Sequence, residues 1–235
     1  MAGDIRWAGQ RTFEDGVPFL ARLEQKDADA LRSLGRTLRY EPRSVVLRQD
    51  EPSAYALILE RGWTKVTASA ANGYEALLAL RGPGDLVGES AGFSDQFRSA
   101  TVTALEEVTA VVIEREPFIS YVQSTPQVAY QLAHLASDRL RFGDRRRLEL
   151  AALGVRQRLA VVLLELAGEH GRKTADGVEI TVPLSQQELA GAVGASREAV
   201  SRVYRDLRKR KIIRTGRRAV VILGSDRLRR IASMG

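Results

Sequence analysis

Residues 185–205 read Ser-Gln-Gln-Glu-Leu-Ala-Gly-Ala-Val-Gly-Ala-Ser-Arg-Glu-Ala-Val-Ser-Arg-Val-Tyr-Arg. Leu189, Ala190 and Val193 recur at helical spacing, giving a first short helix an apolar face. Gly194 suits the position just past a helix end, where a left-handed backbone costs least without a Cβ. Ser196 can then cap a second helix by accepting a hydrogen bond from the N–H groups of its first turn. In that helix Val200, Val203 and Leu207 are expected to point inward, leaving Arg197, Glu198, Ser201, Arg202 and Arg205 outside. The pattern predicts a helix-turn-helix whose second helix enters a DNA major groove, with Ser185 and Gln186 at the start of the first helix as further DNA contacts.

Charge supports this reading. The 235-residue chain carries a formal +7, yet between Arg197 and Arg218 ten Lys or Arg face two acids, leaving +8 in that segment alone. The rest of the chain is close to neutral, so the positive field sits on and behind the recognition helix. Cysteine is absent, which excludes disulfides, zinc-thiolate sites and cysteine-ligated clusters and fits a reducing cytoplasm. No apolar run approaches the ~20 residues that span a bilayer, and the N-terminus lacks the pattern of a secretory signal. A cytoplasmic protein without membrane contact is expected.

Upstream, the texture changes twice. Residues 19–35 predict one or two short helices. From Thr37 to about Glu114 short apolar runs (Val45–Leu47, Tyr55–Leu59, Trp63–Thr67, Glu75–Leu80, Thr101–Leu105 and Val108–Ile113) alternate with turn residues, which predicts a small antiparallel barrel or roll. Asn72-Gly73 is the strongest hairpin signal. Pro126 then opens a helical stretch to about Leu150, whose small and apolar residues Ala129, Leu132/Ala133, Ala136, Leu140, Gly143 and Leu150 form a seam for another helix. No second helix of that length is evident, so the seam predicts pairing with a second copy. After a hinge near 151–154, a helix over Val155–Gly168 and a strand over Val178–Val182 precede the helix-turn-helix. Lys211–Arg214 and Ala219–Leu223 predict a hairpin around Gly216, a wing bearing Arg217 and Arg218.

The remaining chemistry lies in Gly82–Ala100. A strand ending at Leu86-Val87 gives way to Gly88-Glu89-Ser90, a turn whose outward N–H groups can hold an anion. Arg98, beside Ser99, supplies a fork suited to phosphate, and Glu89 suits a sugar hydroxyl. Taken alone, Glu89 and Arg98 are equally readable as an internal salt bridge closing the loop.

The order of roll, glycine-rich cassette, long helix and winged helix-turn-helix resembles the bacterial cyclic-AMP receptor protein/fumarate–nitrate regulator (CRP/FNR) family of transcription factors. The resemblance runs from about Leu31 to Leu223 and rests on Gly88-Glu89…Arg98-Ser99-Ala100 and on Ser196–Arg202. It implies an α+β fold: a cyclic-nucleotide-binding-type β-roll over 1–125, a dimerisation helix and hinge over 126–152, and a winged helix-turn-helix over 153–235. It implies that Glu89 binds a ribose hydroxyl, and that Arg98, Ser99 and the Gly88–Ser90 backbone bind a cyclic phosphate. Arg197, Glu198 and Arg202 become base readers at an inverted repeat with a TGTGA-like half-site, a TTGAT-like one being the runner-up. RNA polymerase is an implied partner.

One departure bears on the effector. Where the cyclic-AMP receptor places adjacent Thr and Ser against adenine, this chain has Gly143 and Asp144. An ionised Asp144 can only accept hydrogen bonds, which favours a base offering N–H groups. Arg139, Arg141, Arg145, Arg146 and Arg147 crowd the same turns and can add anion or stacking contacts. The resemblance names cyclic AMP first, and the departure leaves cyclic GMP, a cyclic dinucleotide and a ligand-independent regulator with a vestigial cassette open. With His134 and His170 the only histidines, no Walker loop and no Ser/His/Asp set, neither catalytic residues nor a haem or other metal site is expected.

Overall fold

The computed structural model describes residues 16–93, 97–216 and 219–233. Arg217 and Arg218 lie outside the described residues. A 3-10 turn at Phe19–Arg22 and helix α1 (Gln25–Ser33) lead into eight strands: β1 (Arg36–Tyr40), β2 (Val45–Leu47), β3 (Ala56–Arg61), β4 (Thr64–Ser69), β5 (Glu75–Arg81), β6 (Leu86–Val87), then after α2 (Glu89–Phe93) β7 (Thr101–Ala104) and β8 (Val108–Ile113). They form two four-stranded sheets in the orders β1-β8-β3-β6 and β2-β7-β4-β5, with antiparallel pairing throughout.

This is the expected roll, and β3 shows why its strands read as continuous apolar runs. Leu57 and Leu59 face the second sheet, among Val46, Val102 and Val112. The alternate residues Ala56 and Ile58 face the helices, among Phe19, Leu31, Phe118, Val128 and Leu132. A strand buried on both faces loses the polar alternation of a surface strand. The Asn72-Gly73 turn joins β4 to β5, with Gly73 at φ 82° and Asn72 Oδ1 accepting from Tyr74 N at 3.0 Å.

Helices α3 (Arg115–Ser124) and α4 (Pro126–Ala152) follow, then α5 (Val155–Glu169), β9 (Gly171–Thr174), β10 (Gly177–Ile180), α6 (Gln186–Ala192), α7 (Arg197–Lys209), β11 (Ile213–Gly216), β12 (Ala219–Ile222) and α8 (Ser225–Ser233). The second domain's sheet runs β11-β12-β10-β9. The sequence names no helix at α3 or α8 and no separate run at β1 or β9, although β1 falls within the expected β region from Thr37. In β9 the absence of a signal is physical, since Gly-Arg-Lys-Thr is exposed at every position on a sheet edge. One inward residue was not named in the sequence: Tyr204, 2% exposed, fills the core of α7 with Val200 and Leu207, and Val203 is partly buried against the same core.

The two domains touch through a defined surface. Leu77 and Leu80 of β5 join the apolar core of the second domain, where Leu163, Leu189 and Val200 also lie. A Cβ at Gly191 on α6 would come within 2.5 Å of Glu75 O and 3.0 Å of Leu77 N, so a residue without a side chain is what allows α6 to lie this close to β5.

Candidate functional site

The cassette is built by a turn that only glycine enters cheaply. Gly88 follows β6 at φ 78°, and a Cβ there would lie 2.7 Å from the Arg98 guanidinium and 2.8 Å from Leu47. Glu89 opens α2 directly after it. A cavity of about 1190 Å³ spreads from this turn along α4 to α6, and Gly88, Glu89, Ser90, Arg98, Ser99 and Gly143 all line it.

Arg98 is 3% exposed and stands over the Tyr55 ring, 4.8 Å from its centroid. It donates from Nε to Ser53 Oγ at 2.8 Å, from Nη1 to Gly88 O at 2.5 Å and from Nη2 to Tyr55 O at 2.6 Å. Three of its five N–H groups are thereby engaged by the chain's own acceptors. Burial pushes the guanidinium below its usual value, opposed by the charges of Tyr55, Glu89 and Glu51.

Glu89 makes no salt bridge to Arg98, contrary to one reading of the sequence. Its carboxylate accepts from Arg139 Nη1 on α4 at 2.7 Å, and Arg139 Nη2 donates to Leu86 O at 2.7 Å. The long helix is thus fastened to the cassette through the same carboxylate expected to meet a sugar hydroxyl. Along α4, Leu135, Arg139, Phe142, Arg146 and Glu149 recur at steps of four and three, which places them on one face. Gly143 belongs to this side and lines the cavity, with open space where a Cβ would stand. Asp144 does not line it. Its carboxylate pairs with Arg147 Nη1 at 3.0 Å on the exposed surface.

His134 is half exposed and meets Arg22 and Asp138 through Nδ1 at 2.9 and 3.3 Å. Burial would raise the Asp138 carboxyl, but Arg22 and Arg141 hold it below the usual carboxylate value. Among the described residues no group of three or more His, Cys, Asp or Glu could hold a metal. No described helix is long and apolar enough to cross a membrane.

In the second domain the turn chemistry is as the sequence predicts. Ser196 Oγ accepts from Ala199 N at 3.2 Å to cap α7, and Gly194 adopts φ 59°. Ser185 Oγ accepts from Glu188 N at 3.2 Å while Glu188 Oε2 accepts from Ser185 N at 2.6 Å, a reciprocal cap on α6. Ser185, Gln186 and Arg197 line a groove of about 460 Å³ beside Thr215 and Gly216.

On α7, Arg197, Glu198, Arg202 and Arg205 are exposed and Ser201 is half-buried. The acids behind this face are already engaged: Asp206 meets Arg210 at 3.0 Å and Arg156 at 3.1 Å, and Asp176 meets Arg214 at 2.7 Å. Arg197, Arg202 and Arg205 have no ion pair among the described residues. Hydrogen bonds from its own N–H and from Ser196, then the charges of Arg197 and Arg202, hold the Glu198 carboxyl below its usual value. Glu198 is therefore an ionised acceptor between cations, the state suited to a cytosine amino group.

Two features were not read as functional in the sequence. Lys65 Nζ on β4 lies 2.6 Å from Glu188 Oε1, tying the roll to α6; no local pattern joins residues 123 apart in the chain. Phe142 stands beside Arg146, whose guanidinium lies 5.4 Å from the ring centroid. Their i, i+4 spacing was visible, but which face of α4 met the roll was not.

Fold and site together define a transcription factor that joins a roll of the cyclic-nucleotide-binding type to a helix-turn-helix. Residues 37–125 match the cyclic nucleotide-binding domain, and residues 157–231 match the Crp-like helix-turn-helix domain. The chain is 34% identical over 187 residues to the CRP-like cAMP-activated global transcriptional regulator of Mycobacterium tuberculosis, covering 80% of this chain and 84% of that one. It is 30% identical over 220 residues to the cyclic AMP receptor protein of Thermus thermophilus, covering 92% and 97%. Among solved structures it resembles a CRP/FNR-family transcriptional regulator of Thermus thermophilus, with a TM-score of 0.71 at 27% identity over 85% of this chain and 99% of that one. The c-di-GMP-responsive global regulator CLP of Xanthomonas campestris shares the fold, with a TM-score of 0.79 at 24% identity over 86% and 100%. The chain belongs to the CRP/FNR family of DNA-binding transcriptional regulators.

Proposed function

We propose that this regulator works as a homodimer on inverted-repeat promoter sites and is gated by a cyclic nucleotide, cyclic AMP before cyclic GMP. The observation that carries the gating is the Glu89–Arg139 pair at 2.7 Å. It joins the turn suited to a sugar-phosphate to the helix that leads into the DNA-binding domain. Gly88, Ser90, Arg98 and Ser99 surround the same cavity and would hold the phosphate, with a ribose hydroxyl competing with Arg139 for Glu89. Such a ligand shifts the DNA-binding equilibrium only through its different affinity for the two states. The relatives named as cAMP-activated support cyclic AMP as the first choice.

Dimerisation rests on α4. Its outward face leaves Tyr130 and Leu140 63% and 62% exposed, with Ala133 and Ala136 between them at close-packing size, a seam that a second copy would cover. At the DNA, Arg197 and Arg202 would read guanines and Glu198 a cytosine, while Arg205, with Arg217 and Arg218 of the wing, would contact phosphates. RNA polymerase is the partner expected of a promoter-bound regulator.

A second reading, a constitutive regulator, draws support from Arg98, whose N–H groups are largely turned to the chain's own acceptors. Melting curves with cyclic AMP, cyclic GMP and cyclic di-GMP separate the two. At 100 times its Kd a ligand that binds only the folded state adds ~2.7 kcal/mol, and the shift should vanish in Arg98→Ala. No shift with any of the three supports the constitutive reading.

A further inference from the structure

We propose that Phe142 and Arg146 form the platform on which the effector's base stacks, an inference that rests on the cyclic-nucleotide reading of the cavity. Arg139 marks which face of α4 meets the cassette, because it bonds Glu89 at 2.7 Å and Leu86 O at 2.7 Å. Phe142 and Arg146 follow at i+3 and i+7, so they lie on that face one and two turns further on, and both line the cavity. A nucleotide whose ribose is held at Glu89 extends its base along this stripe. Gly143, beside the stripe, lines the cavity but has no side chain to offer a base, and Asp144 does not line it. What lines the cavity here is a phenyl ring with a planar cation over it, 5.4 Å from the ring centroid, and both groups bind flat π-systems through their faces.

The platform is rigid and reaches the second domain. Arg146 donates to Glu149 at 2.6 Å and to Glu165 of α5 at 2.8 Å, with its side chain 14% exposed. Glu165 belongs to the first helix of the DNA-binding domain, and Glu149 is 3% exposed. A base on Phe142 therefore presses on a guanidinium shared between α4 and α5. This places base identity and domain position in one cluster.

The test is isothermal titration of the full chain with cyclic AMP, cyclic GMP, cyclic CMP and cyclic di-GMP, in the wild type and in Phe142→Leu, Phe142→Tyr and Glu165→Gln. Loss of a stacked base weakens binding about 5- to 150-fold. Phe142→Leu should weaken the purine nucleotide within that range and cyclic CMP by a smaller factor, while Phe142→Tyr, which keeps the ring, binds as the wild type does. Glu165→Gln should lose the change in DNA affinity produced by saturating nucleotide. Equal affinity of the wild type and Phe142→Leu for the purine nucleotide overturns the platform, as an intact DNA response in Glu165→Gln overturns its link to α5. Wild-type protein that binds none of the four overturns the effector reading itself, a result distinct from either.

Discussion

Lys65 on β4 and Glu188 on α6 form an ion pair at 2.6 Å with side chains 16% and 14% exposed, and it joins the nucleotide-binding domain to the helix-turn-helix. Burial alone would raise the Glu188 carboxyl. The Lys65 ammonium and the Ser185 N–H and hydroxyl overcome it and hold the carboxyl below its usual value. A group depressed in the folded state stabilises above its unfolded pKa and loses that contribution as pH falls through the folded value. The domain contact should therefore persist through the ordinary carboxylate range and weaken only below about pH 4. Lys65→Met leaves Glu188 without its cation and should cost about 1.5–3 kcal/mol. Urea unfolding at several pH values checks this; a variant as stable as the wild type at pH 7 would show that the pair contributes nothing.

Two glycines on helices give opposite expectations. Gly143 has open space where a Cβ would stand, whereas a Cβ at Gly191 would meet Glu75 O at 2.5 Å. Gly143→Ala should stabilise α4 by up to ~1 kcal/mol through helix propensity. Gly191→Ala should force α6 off β5 and increase protease cleavage between the domains. Thermal melting and limited trypsin digestion report both effects, and a Gly191→Ala protein digested at the wild-type rate would refute the close contact.

How much of this was legible in the sequence depends on how local the determinant is. The helix-turn-helix was readable because its caps and turn lie within a few residues: Ser185 with Glu188, Gly194, and Ser196 with Ala199. The roll was readable from turn residues between apolar runs, and the resemblance supplied its topology. The site was half legible. Gly88, Glu89, Arg98 and Ser99 are adjacent in one cassette, but the partner of Glu89 is Arg139, 50 residues on, and nothing local distinguishes it from Arg141 or Arg145. Tyr204 was missed as a core residue because a hydroxyl reads as an outward signal, although its ring fits the 3-4 spacing from Val200 to Leu207. The clearance at Gly191 required knowing that β5 packs there.

Arg98 bonds the backbone of two segments, at Gly88 O and Tyr55 O. Arg98→Ala should therefore lower stability as well as remove nucleotide binding, since two part-buried carbonyls lose a charged donor, at about 1.5–3 kcal/mol for each such bond. Arg98→Lys keeps the charge but not the fork. It should recover part of the stability and little of the nucleotide-induced melting shift. A lysine variant that binds nucleotide as tightly as the wild type would show that the guanidinium geometry is dispensable.

Specific and non-specific DNA contacts should separate by salt. Arg202→Ala is expected to lose ~1–3 kcal/mol of discrimination at one base pair of the half-site and to keep the slope of affinity against salt. Arg205→Ala should weaken all sequences alike and reduce that slope by about one counterion. Mobility shifts at several salt concentrations on matched and mismatched sites measure both, and unchanged sequence preference in Arg202→Ala would remove it from the base readers.

The Tyr204 hydroxyl is buried with no hydrogen-bond partner among the described residues. A buried polar group without a partner keeps its desolvation cost, so removing it is neutral or favourable. Tyr204→Phe should match or exceed wild-type stability at pH 7, by up to ~1 kcal/mol, because the ring that packs beside Val200 and Leu207 is retained. Burial also raises the phenol above its ordinary value of 10. A group raised in the folded state contributes fully below its unfolded pKa and loses stability as pH climbs past it. The wild type should therefore lose stability above about pH 10, and Tyr204→Phe should lose less. Unfolding free energies at pH 7 and in the alkaline range decide it. A phenylalanine variant destabilised by more than ~1 kcal/mol at neutral pH would mean that the hydroxyl has a partner in solution.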